Sequence, residues 1–378
     1  MSGKLTITLT TTRTLVEQFQ ATLSSSHANT GQPTPTTADK QNKGLDPLPL
    51  LSTSATALKS HVTKLSLLTL TSPFTASAVT TTLSTLNETV LPSLVTAALL
   101  VTPESYTAAY QTEIRILTST TLKELYLLVK EVQVVAEEKA SKKGLNQSEK
   151  DTVTLAAGRV WDACDVLVDV ATKGVVGFVV RRAEEYRDLV RDAVEEIEAW
   201  DPDEEGDEFF DELLDEDYED GAKKSRGDSD DNSEYDEEDG NAALHDRKKD
   251  ALRMLKPIAQ IYPALITNRL KRAPVPLSPS DCKVLESLMK HLQQIPEHID
   301  EIAGALYEAD LDKYLHQAGK TKDCACRAIN LVMLPWPVAP NGGDQEGAGD
   351  KFTAWSKTWI KVMGEVSKSI DETLDSPA

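Results

Sequence analysis

Aromatic residues are scarce in this chain: Phe, Trp and Tyr together make up 5% of its 378 residues. Leu, Ala, Val and Thr must therefore fill any interior, as they do in helical bundles. Cysteine is also sparse, with four residues at 164, 282, 324 and 326. That number excludes a disulfide scaffold and points to reduced, partly buried thiols. Cys324-Ala-Cys326 is the one close pair. A structural zinc site needs two such pairs, or a pair with nearby histidines, so neither a metal nor a cofactor is expected. The Gly-rich phosphate loop, the Gly-x-Ser-x-Gly elbow and the His-Glu-x-x-His helix are all missing. The six histidines (27, 61, 245, 291, 298 and 316) fall on predicted helices or loops. His291, His298 and His316 are read as helix-surface residues rather than a site. A non-enzymatic protein is expected. Uninterrupted apolar runs such as Gly174–Val180 are short, well under the ~20 residues of a membrane-spanning helix. The N-terminal MSGKLTITLTTTRTL has no basic segment followed by an apolar run. These absences favour a soluble intracellular protein with no membrane partner.

What the chain has in excess is acid, in one place. Glu195 to Asp239 holds 24 Asp and Glu against three bases, a net charge of −21, which equals that of the whole chain. The remaining sequence is balanced, with 37 residues of each sign. Like charges at this density resist packing, so residues 201–240 are predicted to be a disordered insert between two folded bodies. Direct binding of nucleic acid is disfavoured, because phosphates would be repelled; a basic protein partner is favoured instead. Phe209, Phe210, Leu213, Leu214 and Tyr218 punctuate the insert and are candidate partner-binding anchors. Their competing reading is incidental apolar residues in a solvated spacer. Arg247-Lys248-Lys249 and Lys271-Arg272 are read as solvated helix surface.

Helical periodicity runs through the rest. Leu15, Val16, Phe19 and Leu23 mark a helix within 5–24, although its threonines locally favour strand. Leu48 to Leu70 is a second. A third starts at Ser72-Pro73 and runs toward Val101, perturbed at Pro92. The clearest stripe is Tyr106, Tyr110, Ile114, Leu117, Thr121, Leu125, Leu128, Val132 and Val135, on a helix from Pro103 to about Lys139. Ser148 to Trp200 is predicted to be long helix, bent at Gly174 and Gly177, with Arg181–Glu185 and Arg191–Glu195 able to pair on its surface. Beyond the insert, helix resumes at Ala242, kinked near Pro257 or Pro263. Another helix runs from Ser280 to about His316, a shorter one from Asp323 to Val332, and a last from Phe352 to Ile370. The expected fold is all-α, with an N-terminal bundle over 1–200, the acidic insert over 201–240, and a C-terminal helical region over 241–378 that packs with the first.

Two motifs resemble a known family. Gly158-Arg-Val-Trp161-Asp-Ala-Cys164-Asp165 is similar to the Trp-and-Cys helix of the cyclin-D-binding (GCIP, or Maid) proteins. Asp192-Ala-Val-Glu-Glu-Ile-Glu-Ala-Trp200, running into an acidic stretch, is similar as well. The resemblance implies helical bundles like those of vinculin and α-catenin, and no catalytic residues. It implies binding to D-type cyclins and helix-loop-helix factors, in cytoplasm and nucleus, to restrain cell-cycle progression and transcription. Trp161 and Cys164 lie three apart on one helix face and are read as packing residues. Two other readings remain: a cytoskeletal adaptor of the vinculin type, and a chaperone for histones or other basic proteins acting through the acid tract.

Overall fold

In a computed structural model the described residues are 3–25, 46–139, 146–203, 234–336 and 350–368. Among them the fold is all-α, without a strand. The chain divides into two compact units, Met1–Phe178 with Val275–Glu286, and Val179–Pro274 with Ser287–Ala378. This division differs from one placed at the acidic run. The long helix that precedes that run is itself broken at Gly174, and the units part four residues later.

Unit 1 contains α1 (Gly3–Ser25), α2 (Pro47–Leu70), α3 (Ala76–Thr85), a π-helical turn (Leu86–Val90), α4 (Leu91–Leu100), α5 (Ala108–Lys139) and the first part of α6 (Gln147–Ala199). α1 packs on α3 and α5, and α2 packs on α4. The threonines of α1 are compatible with helix because their hydroxyls donate to carbonyls one turn back. Thr8 reaches Lys4 O at 3.0 Å and Thr12 reaches Thr8 O at 2.9 Å. Leu5, Leu9, Thr12, Val16 and Leu23 form the buried face, and helix-period burial outweighs β-propensity. Arg13 ties α1 to α5, donating to Tyr126 Oη at 2.9 Å and Gln133 Oε1 at 3.1 Å.

Pro92 perturbs its helix as expected, but through a π-helical turn immediately upstream, which absorbs the ring without ending the helix. The resulting 25-residue run Ala76–Leu100 is long and apolar enough to cross a membrane by length and composition. No long uninterrupted apolar run marks it in the sequence, because Thr and Ser recur within it. Leu83, Leu86, Leu91, Leu94, Ala97 and Ala98 are fully buried among the other helices of unit 1, the pattern of a core helix.

Two helix starts differ from expectation. α3 begins at Ala76 rather than at Ser72-Pro73. α5 begins at Ala108, where Thr107 Oγ1 accepts the Tyr110 amide at 3.1 Å and supplants Thr102 as the cap. The α5 stripe is buried along its length, apart from the half-buried Leu117 and Tyr106. α6 opens on a reciprocal cap: Asn146 Oδ1 accepts from the Glu149 amide, and Glu149 Oε2 from the Asn146 amide, both at 2.8 Å.

Unit 2 holds the remainder of α6, then α7 (Glu234–Ala259), α8 (Ile261–Asn268), most of α9 (Pro279–Tyr307), α10 (Leu311–Leu331) and α11 (Lys351–Val366). The helix expected from Ser280 to His316 ends at Tyr307. Ala309 takes a left-handed φ of 56°, and Asp310 starts α10 by accepting the Lys313 amide. His316 therefore belongs to a different helix from His291 and His298. The kink expected near Pro257 or Pro263 falls at Gln260, between α7 and α8. Pro296 lies inside α9 and has no N–H for the Leu292 carbonyl four residues back. Tyr262 Oη donates to that carbonyl instead, at 2.8 Å.

One arginine gathers the end of α8, the end of α10 and the start of α11. Arg269 is 2% exposed. Its guanidinium donates to Val332 O at 2.7 Å, to Met333 O at 2.8 Å, and to both Asp350 oxygens at 2.8 and 2.9 Å, and it lies 4.3 Å from the Phe352 ring centre. Asp350 also caps α11 through the Thr353 amide at 2.9 Å. The Arg269 hydrogen bonds hold the Asp350 carboxyl well below the usual carboxylate range. A buried ion pair that loses one partner strands the other. Arg269→Ala is expected to destabilise unit 2 by about 3–5 kcal/mol in denaturant unfolding. Because the folded carboxyl is the stronger acid, its contribution is complete above its ordinary value of 3.8 and is lost as pH falls below it. Asp350→Asn should therefore flatten the acid limb of the stability–pH curve; an unchanged limb would count against this role.

Candidate binding groove

A cavity of about 740 Å³ lies within unit 1. Its floor is the α6 turn Ala171–Val176, one wall is the first turn of α2, a second is Ser105-Tyr106, and its rim is Val275-Pro276-Leu277. The floor exists because Gly174 adopts φ 63° and ψ −166°, which interrupts α6. Only glycine takes that conformation without strain. Tyr110 Oη donates to the Val170 carbonyl at 3.1 Å, beside the break. Its ring stands edge-on to Phe178, with centroids 5.6 Å apart.

The groove is predominantly aliphatic. Leu48, Pro49, Val175, Val176, Pro276 and Leu277 supply the surface, and Val275 is 86% exposed at the rim. Its polar groups are largely committed. Asp46 accepts the Leu48 amide and the Tyr106 hydroxyl, each at 3.0 Å. Burial, followed by the bond to Asp46, raises the Tyr106 phenol far above its ordinary value, so it stays a hydrogen-bond donor. Lys173 pairs with Asp169 at 2.8 Å. Cys282 is raised mainly by burial and directs its thiol to Ser105 O at 3.4 Å. Such a lining suits apolar side chains with a few hydroxyl contacts.

Trp161 and Cys164 lie two to four turns before the break. Cys164 is fully buried, and burial pushes its thiol up to about 12. A thiol buried in this way packs as a small apolar side chain. Trp161 is half-buried, and its indole N–H is shielded without an acceptor among the described residues. The next residue after Cys164, Asp165, pairs with Lys59 of α2 at 2.6 Å. Phe209, Phe210, Leu213, Leu214 and Tyr218 lie outside the described residues. On unit 2, His298 senses His316, but burial chiefly lowers its basicity. The described residues that bring three ligand-type atoms together are Asp201, Asp203 and His245, all exposed.

Sequence reasoning identified Gly174 as a bend but not as the floor of a groove. It also read Val275–Leu277 only as a stiff linker. The available signal was the pairing of an interrupted helix with a distant apolar Val-Pro-Leu segment, but proximity between residues so far apart in sequence is not encoded in local periodicity.

Gly177 is constrained as well: a Cβ there would lie 2.4 Å from Lys173 Cβ. Gly158, by contrast, has open space around it. Gly174→Ala should cost about 1–3 kcal/mol, because φ 63° with ψ −166° is a backbone region essentially confined to glycine, and Gly177→Ala should also destabilise. Gly158→Ala should stabilise by about 0.5–1 kcal/mol, as expected for an ordinary helical glycine. Thermal unfolding of the three variants distinguishes a broken α6 from a continuous one, in which all three would behave alike.

Residues 50–203, less than half of the chain, match the family described as Grap2 and cyclin-D-interacting, N-terminal. No curated protein matches the chain. The matched stretch spans α2 to the end of α6, including the Trp161–Cys164 turn and the groove floor. Over this N-terminal region the chain is similar to the Grap2 and cyclin-D-interacting family.

Proposed function

We infer that the chain is a non-enzymatic regulator acting through protein–protein contacts. D-type cyclins or helix-loop-helix factors are its partners, and it acts in cytoplasm and nucleus to restrain cell-cycle progression and transcription. The observation that carries this reading is the family match over residues 50–203, whose description names cyclin-D interaction. The unit 1 groove supports it, because an aliphatic trough with committed polar groups favours the apolar face of a partner helix over a polar substrate.

The test is affinity purification from native cells with three full chains: wild type, a deletion of 201–240, and Val275→Asp. Val275 is exposed, so its substitution leaves the core intact. A D-type cyclin should be retained by wild type and by the deletion, and reduced about tenfold by the buried charge. Absence of any cyclin or helix-loop-helix partner from all three would overturn the reading. A second reading, binding of histones or other basic proteins through the acid tract, is favoured by the −21 charge of Glu195–Asp239. It predicts basic partners that disappear on deletion. Actin and junction proteins in every arm would instead favour the vinculin-type adaptor.

A further inference from the structure

Helix α7 presents a basic stripe beside the point where the acidic run leaves the folded chain. His245, Lys248, Lys249, Leu252, Arg253 and Lys256 recur at spacings of three, one, three, one and three and line one shallow depression, the pattern of a single helix face. Lys248 donates to the Trp200 carbonyl, and Lys256 pairs with Glu198 at 2.7 Å. Lys249 and Arg253 are exposed and have no ion pair among the described residues. Asp246 and Asp250, with Arg247, line an adjoining depression that shares Lys249 and Arg253 with the stripe, so they reduce the field at those two cations without cancelling the excess of bases on the helix. At the head of the stripe, His245 Nε2 lies 3.0 Å from Asp203 Oδ2.

Residues 204–220 follow Asp203 directly and carry eleven acids and no base. We propose that this acidic segment docks on the α7 stripe of its own chain, occupying the surface that faces acidic ligands in trans. Charge complementarity favours the pairing, and tether geometry permits it. The stripe is about 16 Å long at 1.5 Å per residue, well within reach of a segment whose other end rejoins α7 at Glu234. The tether holds the segment at a high effective concentration, so weak individual pairs suffice. The contact is electrostatic, so salt weakens it. Its consequence is self-inhibition: a basic partner of the acid tract must displace α7, and an acidic partner of α7 must displace the tract. The inference does not depend on the cyclin reading.

Pulsed lysine acetylation read by mass spectrometry tests it on the full chain. Lys249 reports on the stripe, and Lys123, exposed on α5, is the control. The comparison variant replaces the acids of 204–220 with their amides. At low salt, Lys249 in the variant should react about threefold faster or more than in wild type, and raising salt to about 0.5 M should remove the difference. Lys123 should not change. Equal Lys249 rates in both chains at low salt would overturn the proposal. Protection that disappears on dilution would overturn it too, because the occupant would then be a second copy.

Discussion

A buried carbonyl that loses its helical donor must find another, and four of the chain's aromatic side chains supply one here. Long helices here are repeatedly interrupted, and at several of the interruptions a side chain takes over. Tyr110 serves Val170 beside the Gly174 break, and Tyr262 serves Leu292 opposite Pro296. Trp359 serves Pro257 at the end of α7, at 2.9 Å, and Trp336 serves Arg269 beyond α8, at 2.8 Å. Arg269 does the same for Val332 and Met333 at the end of α10. Each ring also buries apolar area, so a composition poor in aromatics still seals its core. Tyr314 departs from the pattern, since its buried hydroxyl has no acceptor among the described residues.

What was legible in the sequence follows from the range of each signal. Periodicity is local, so the buried face of α5 was readable from spacing alone; on α1 the spacing picked out Val16 and Leu23, but Leu15 and Phe19 are half-buried and Leu5, Leu9 and Thr12 complete the face, and on α6 Leu155 is exposed. Caps are also local but compete: α5 starts after Thr107, whose Oγ1 accepts the Tyr110 amide, rather than at Thr102, and α3 starts after Thr75, whose side chain makes no capping hydrogen bond, rather than at Ser72. The break at Ala309 was not legible, since alanine gives no sign of a left-handed φ. The Arg269 network was not legible either, because its partners lie more than sixty residues downstream. The same distance concealed the groove, whose rim and floor are about a hundred residues apart.

A glycine in the left-handed region breaks α6, the break opens an aliphatic trough, and the trough lies largely within the stretch that matches the cyclin-D-interacting family. The acid run contributes charge, whereas the groove contributes apolar area; the two favour different partners and separate experimentally through salt. Association through the trough would bury apolar surface and resist salt, whereas association through the acid run would weaken steeply as salt rises.

Amide hydrogen exchange of the full chain with and without a D-type cyclin tests the central claim most directly. The account predicts added protection at residues 171–176 and 275–277, where the groove closes over a partner segment. Protection confined to 204–220, with the groove amides unchanged, would contradict it.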